Sequence, residues 1–458
     1  MWQPYASCKK MNTPIYDFVK AYRDLRPARF HMPGHKGRGP LGCEELDITE
    51  IPGADSLYEA SGIIAESEEN ASRLFGCPTF YSTEGSSHCI RAMLQAAREA
   101  CQGTGERESS FRVLAARNVH STFLSAAALL DIDVAWLDAP GGSYLSADPT
   151  PEAVDRALAG TGAAAVYLTC PDYLGCLPDL APIAEVCHAR GALLLVDNAH
   201  GAYLRFLPRS LHPMDLGADL CCDSAHKTLP VLTGGAYLHL AQRFDPAFVQ
   251  SAREALALFG STSPSYLILQ SLDLANPALE ALPALLPEIL FKADALRREL
   301  TAAGCRLYGQ EPLKLTLAPR ANGLTGTELA AALEAKGVFC EFSDPDFVTL
   351  MISPANTDDD FDRLREAILA ALAAAPAKDL SGSPAPRRRC PPVRACSLRE
   401  AMLSPARTAP CAESLGRILA RPGVCCPPAV PVLMPGERID EDALAAFAYY
   451  GIKNCRVL

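Results

Sequence analysis

Short apolar segments recur along the first half of this 458-residue chain, separated by stretches of helical pattern. They fall near residues 112–117, 133–138, 163–169, 192–197, 219–223 and 234–240. Strands that alternate with helices imply a mostly parallel sheet covered on both faces. In such α/β sheets ligands bind beyond the carboxyl ends of the strands, so those ends are where chemistry is sought. Helical pattern resumes near 265–303, and a smaller α+β unit follows. Its strands are read at 313–317 and 347–352, and its helices at 328–335 and 361–374. The expected divisions are an N-terminal helical arm (1–25), a large domain (26–265), a small domain (266–375), a proline-rich linker (376–395) and a C-terminal domain (396–458).

Composition excludes several classes. A net charge of −11 argues against nucleic-acid binding, which needs basic patches. It is compatible with a cationic substrate. The N-terminus lacks an apolar signal core, and no uninterrupted apolar run is long enough to span a bilayer. Eighteen cysteines are many, yet no Cys-x-x-Cys occurs, so metal ribbons and thioredoxin chemistry are unsupported and no metal is expected. Cys170, Cys221 and Cys222 sit in apolar runs and read as reduced, buried small hydrophobes of a cytoplasmic protein.

The candidate site residues follow the strands. The run Ala218-Asp219-Leu220-Cys221-Cys222 ends in Asp223-Ser224-Ala225-His226-Lys227-Thr228. A lysine there can form a Schiff base with an aldehyde cofactor, and Ser224 and His226 could hold an anionic group. Upstream, Leu193-Leu194-Leu195-Val196 suits a strand buried on both faces, with Asp197 at its carboxyl end. A carboxylate there suits the pyridine nitrogen of pyridoxal phosphate. The string Ser82-Thr83-Glu84-Gly85-Ser86-Ser87-His88 precedes a helical pattern and makes an anion cradle. His120, after the strand-like 111–116, could stack on an aromatic cofactor. Taken singly, each has a commoner reading: a surface lysine, a turn-capping aspartate, a serine-rich helix cap, a loop histidine.

Together these strings resemble the ornithine/lysine/arginine decarboxylase family, fold-type-I (aminotransferase-like) enzymes that use pyridoxal 5′-phosphate. The resemblance extends to Phe30-His31-Met32-Pro33-Gly34-His35-Lys36-Gly37, to residues 47–57, to Gly260-Ser261-Thr262-Ser263-Pro264-Ser265-Tyr266 and to residues 426–437. It implies that Lys227 carries the cofactor, Asp197 pairs with its pyridine nitrogen and His120 stacks on the ring. Gly85, Ser86, Ser87 and Ser224 bind the phosphate, and His226 lies beside the reacting lysine. Ala199 packs on the ring face opposite His120, and His200 supports the site. Ser263 and Ser265 belong to a loop that reaches a neighbouring subunit's phosphate, so a homodimer or higher homo-oligomer with shared sites is expected. The chain starts near the first family motif, so no additional N-terminal receiver-like domain is expected.

There are departures from the family pattern. Asn198 stands where the family has Glu, Ser121-Thr122 where it has Lys-Ser, and Pro171-Asp172-Tyr173 where it has Pro-Thr-Tyr. Cys426-Pro427-Pro428-Ala429-Val430-Pro431 replaces Tyr-Pro-Pro-Gly-Ile-Pro. The cofactor residues are untouched, and the changes bear on substrate identity. The expected activity is α-decarboxylation of lysine, arginine or ornithine to a polyamine precursor. Another fold-type-I activity, an aminotransferase or a lyase, is the enzymatic alternative. A catalytically retired homologue with a binding role is the alternative from another class.

Overall fold

The structure is a computed structural model that describes residues 11–102, 111–137, 139, 143–376, 380, 386, 391–423 and 428–458. The first ten residues, most of the expected linker, and Cys426 and Pro427 lie outside the described residues. The chain begins α1 (Pro14–Asp24), α2 (Ile63–Phe75), β1 (Thr79–Ser82), α3 (Gly85–Gln102), β2 (Arg112–Ala115), α4 (Ser121–Leu130), β3 (Asp133–Trp136), α5 (Pro151–Thr161) and β4 (Ala165–Thr169). It continues α6 (Leu180–Ala189), β5 (Leu193–Asp197), β6 (Leu220–Asp223), α7 (Ala225–Thr228), β7 (Ala236–Leu240), α8 (Pro246–Phe259) and α9 (Tyr266–Ala302). Then come β8 (Leu307–Tyr308), β9 (Lys314–Leu317), α10 (Gly326–Glu334), β10 (Phe342–Ser343), β11 (Val348–Met351) and α11 (Asp358–Ala373). The last elements are α12 (Leu398–Leu403), β12 (Arg407–Pro410), β13 (Leu419–Arg421), α13 (Glu441–Tyr449) and β14 (Asn454–Val457).

Two compact units share these elements. The first comprises residues 1–109 and 193–286. Its strands lie in the order β1-β7-β6-β5. β5 and β6 run parallel, whereas β7 is antiparallel to both β6 and β1. β1 is absent from the strands read in the sequence. It has only four residues, all buried, and passes almost at once into a polar turn, so no periodicity marks it. Asp55 shows how the local sequence sets α2. Its buried carboxylate accepts the Gly62 amide at 2.7 Å and the Ile64 amide at 3.1 Å, satisfying donors that a helix start leaves open.

The second unit comprises residues 110–192 and 287–458. It holds the parallel strands β4-β2-β3. It also holds the four-stranded antiparallel sheet β10-β11-β9-β8 and the three-stranded sheet β12-β14-β13. The strands read at 313–317 and 347–352 are β9 and β11. The two-residue strands β8 and β10 are too short to show a period. Leu419, Leu433, Phe447 and Val457 belong to the core under the three-stranded sheet.

α9 is apolar on average though interrupted by polar residues such as Gln270, Asp273 and Asn276. Its 37 residues include an 18-residue window with a mean hydropathy of 1.2, long and apolar enough to cross a membrane by length and composition. Yet Leu269, Leu272, Ala275, Leu279, Leu282 and Leu286 are buried at the three-to-four spacing of a core-facing stripe. Asp273 is buried too, accepting the Ser67 hydroxyl at 2.6 Å and the Tyr16 amide at 2.9 Å. Those are the contacts of a core helix. The described cysteines are all free thiols, and Cys170, Cys221 and Cys222 are at most 1% exposed.

Candidate active site

The carboxyl ends of β5 and β6 place the first unit's candidate residues. The apolar run of β5 is buried, and Asp197 at its end is 2% exposed. Its Oδ1 accepts the Ala199 amide at 3.1 Å. β6 ends at Asp223, and Ser224 turns the chain into the single-turn helix α7, which carries His226 and Lys227. The Lys227 Nζ lies 2.9 Å from His200 Nε2, so an ammonium there donates to His200 and fixes that nitrogen as the acceptor. His226 Nδ1 lies 2.9 Å from the Gly235 carbonyl, which can only accept. Nδ1 therefore carries the hydrogen, and Nε2 is the basic nitrogen.

The anion cradle assembles at the start of α3. Ser224 Oγ donates to Ser86 Oγ at 2.8 Å, so residues far apart in sequence meet there. Gly85 adopts φ +74°, and its amide donates to the Gly234 carbonyl at 2.7 Å. A Cβ at Gly85 would meet nothing closer than His226 Cε1 at 4.0 Å, so open space lies beside the helix start. Gly234 is the opposite case. At φ +104° an added Cβ would stand 2.8 Å from the Thr83 carbonyl oxygen.

His88, which ends the cradle string and had no role of its own in the sequence, supports this cradle. It is fully buried, with Nε2 2.7 Å from the Leu256 carbonyl and Nδ1 2.8 Å from Ser82 Oγ. Burial lowers its pKa, the Leu256 carbonyl opposing, which favours the neutral ring. Ser265 Oγ accepts the Ile268 amide at 3.4 Å as a cap of α9, Ser263 is exposed, and the Ser261 amide donates to Glu84 at 2.6 Å. Ser87 and Ala199 are half-buried.

His120 belongs to the second unit. Its Nδ1 accepts the Thr122 amide at 3.2 Å, capping α4. Three residues before it, Arg117 forms a two-pronged ion pair with Glu437, both bonds 2.8 Å long. The Ser121 amide donates to the Ala429 carbonyl at 2.7 Å. The loop that bears His120 is thus tied to the chain's C-terminal segment.

A family model described as "Orn/Lys/Arg decarboxylase, major domain" matches residues 13–310. The chain belongs to the Orn/Lys/Arg decarboxylase family. It is 30% identical to an arginine decarboxylase of Halalkalibacterium halodurans, over 95% of this chain and 93% of that protein. It is 28% identical to an arginine decarboxylase of Bacillus subtilis, over 94% and 92% of the two chains. Among solved structures, the E. coli constitutive lysine decarboxylase matches with a TM-score of 0.77 at 18% identity, covering 98% of this chain and 82% of that one. A ureidoglycine-glyoxylate aminotransferase of Bacillus subtilis matches with a TM-score of 0.55 at 16% identity, covering 70% of this chain and 88% of that one. The fold is therefore the mostly parallel α/β fold shared with aminotransferases. The enzyme is a pyridoxal-phosphate-dependent decarboxylase of a basic amino acid.

The residues of this decarboxylase fit that cofactor. Hydroxyls and a helix start with open space suit a phosphate. A buried carboxylate suits a protonated pyridine nitrogen, and a lysine amine suits an aldehyde.

Proposed function

We propose that this enzyme decarboxylates arginine to agmatine, with Lys227, Asp197 and Ser224 as its principal cofactor residues. The observation that carries the assignment of residues is the pairing of a buried Asp197 at the end of β5 with Lys227 just beyond the end of the neighbouring β6. The choice of arginine rests on the curated arginine decarboxylases that align along nearly the whole chain.

Pyridoxal phosphate, when bound, supplies an electron sink for the pair released as the carboxylate leaves. Lys227 Nζ is the amine that would hold the cofactor by its aldehyde. Asp197, withdrawn from water, keeps a proton on the pyridine nitrogen by its charge. Ser86, Ser87, Ser224 and the start of α3 would hold the phosphate and so fix the cofactor's position. His200 Nε2 accepts from Lys227 Nζ and keeps the ammonium in place, so Nζ is the atom that returns a proton to the substrate's Cα. His226 Nε2 is the second candidate for that proton. Ala199 would pack on one face of the ring. Ser263 and Ser265 serve a neighbouring subunit's phosphate, so the enzyme works as at least a homodimer, in the cytoplasm.

The test is single turnover with arginine, lysine and ornithine in the absence of any keto acid. Arginine should give one CO₂ and one agmatine and return the cofactor as the aldehyde. Stoichiometric pyridoxamine phosphate without CO₂ would make the enzyme an aminotransferase. Faster turnover of lysine or ornithine would overturn the choice of substrate. Borohydride should fix the cofactor to the peptide containing Lys227, and a Lys227→Ala protein that is labelled equally would refute the lysine's role.

A further inference from the structure

Side chains alternate between the two faces of a strand. At the ends of β5 and β6 this alternation sorts the residues into two rows. One row holds Asp197 and Cys222, whose Sγ lies 3.9 Å from Asp197 Oδ1, and Ser224 continues it. The other row holds their chain neighbours Asn198, Cys221 and Asp223. Asn198 Nδ2 donates to Asp223 Oδ1 at 2.7 Å. His212 and His239 each offer Nε2 to Asp223 Oδ2, at 3.0 Å and 3.1 Å. His239 stands on β7 in register with Cys221 of β6 and Thr79 of β1. Asn198, His212, Asp223 and His239 are each 0% exposed. The reaction uses none of them.

Two histidines and a carboxylate within 4.8 Å could be cation ligands. The outer contacts argue otherwise. A metal-bound imidazole gives its Nε2 lone pair to the ion and carries its hydrogen on Nδ1, where it needs an acceptor. His212 Nδ1 instead faces a donor, the Met214 amide, at 3.4 Å. His239 Nδ1 lies 2.9 Å from the Thr79 hydroxyl, which also reaches the Cys77 carbonyl at 3.0 Å. Burial lowers the pKa of His239, Asp223 opposing, which favours a neutral ring. The Asp223 carboxylate can only accept, so each ring carries hydrogen on the Nε2 aimed at it. Burial pushes the Asp223 carboxyl up, but His212 and His239 outweigh it and hold the group below the usual carboxylate range. The arrangement is a buried carboxylate held by three nitrogen donors from three separate segments, with the Cys221 thiol 3.7 Å from its Oδ1.

We propose that Asp223 is a positioning residue, locking the ends of β5 and β6 through Asn198, His212 and His239 so that Asp197 and Ser224 keep the spacing the cofactor needs. The inference rests on reading Asp197 and Ser224 as cofactor-facing. Each of those residues is peptide-bonded to a member of the clamp. A shift of either strand end would be passed directly to the pyridine or phosphate contact, where small misplacements are expensive.

The experiment titrates apo-protein with pyridoxal phosphate, by absorbance, beside thermal unfolding of the same apo-protein. Asn198→Ala removes one donor and no charge. It should remain folded at the titration temperature and bind the cofactor on the order of tenfold more weakly. Asp223→Asn should weaken binding at least as much. The double variant N198D/D223N exchanges amide and carboxylate while retaining a bond between them, and should recover much of the loss. If Asp223→Asn does not fold, Asn198→Ala and the double variant carry the test. Wild-type affinity in Asn198→Ala, with weak binding in Asp197→Ala, would overturn the clamp and leave the site assignment standing. Wild-type affinity in Asp197→Ala would instead overturn the assignment beneath it. Stoichiometric divalent metal in the purified protein, lost in His239→Gln, would also overturn the clamp.

Discussion

Replacing Glu437 by Gln tests whether the C-terminal segment holds the His120 loop in place. The carboxylate is 4% exposed at its side chain and accepts three bonds. Arg117 Nη1 reaches Oε1 and Nη2 reaches Oε2, both at 2.8 Å, and the Met434 amide reaches Oε2 at 2.9 Å. Glutamine has one acceptor oxygen and an NH₂ group. If the oxygen keeps Nη2 and the Met434 amide, NH₂ faces Nη1 and that bond is lost. One charge-assisted bond contributes about 1.5–3 kcal/mol. Breaking a fully buried ion pair costs about 3–5 kcal/mol. The Arg117 side chain is 30% exposed, so water takes up part of its loss. The expected destabilisation is therefore near the lower bound, about 2 kcal/mol. Trp136 lies under the guanidinium, 5.4 Å from its ring centre, so its fluorescence reports the region in a urea titration. Amide exchange at Ser121 and Thr122 should accelerate, because the Ser121–Ala429 bond belongs to the same attachment. Arg117→Met should cost a similar amount, and the double variant should cost less than the sum. A Glu437→Gln protein within about 0.5 kcal/mol of wild type, with Ser121 exchange unchanged, would refute the reasoning.

Three further outcomes are expected. Asp344→Asn should stabilise the protein above neutral pH and less so in acid. Burial raises the Asp344 pKa to about 6, its Oδ1 accepts the Asp346 and Phe347 amides, and its Oδ2 is buried without a hydrogen-bond partner. A raised folded pKa means that the carboxyl's contribution is present below the ordinary carboxylate range and lost as pH rises through about 6. The gain should approach roughly 1–3 kcal/mol at pH near 8, read from urea midpoints, and a gain independent of pH would contradict it. Gly234→Ala should weaken cofactor binding and lower the unfolding temperature together, since its Cβ would meet the Thr83 carbonyl 2.8 Å away. An unchanged cofactor titration would show that the turn yields without cost. Mixing Lys227→Ala subunits with Ser263→Ala/Ser265→Ala subunits should restore activity if sites are shared, and a fully active monomer by light scattering would rule sharing out.

The strands that carry the site are legible because each is a buried apolar run ending in a polar residue, as at Val196-Asp197 and Cys222-Asp223-Ser224. Gly85 and Ser86 are legible because a turn must precede a helix start. What links these elements is not legible. Arg117 and Glu437 lie 320 residues apart, and nothing near either names the other. His212 and His239 lack any metal-like spacing, and His239 sits inside an apolar strand, where it reads as an exception to the pattern. Asp223 stands beside a conspicuous lysine string, yet only the packing of β7, the 212 turn and the end of β5 against it reveals its three nitrogen donors. The antiparallel direction of β7 is hidden for the same reason, because a strand's own residues do not record its partner's direction.

The alternation at the ends of β5 and β6 gives this enzyme a parity. If β5 slipped by one residue against β6, its ladder could re-form. Yet the side chain on the proposed cofactor row would become the neutral amide of Asn198 instead of the carboxylate of Asp197. A like slip of β6 would set the charge of Asp223 where Ser224 stands, repelling a phosphate. A change of length is therefore expected to be tolerated in the loops ahead of these strands and not within them.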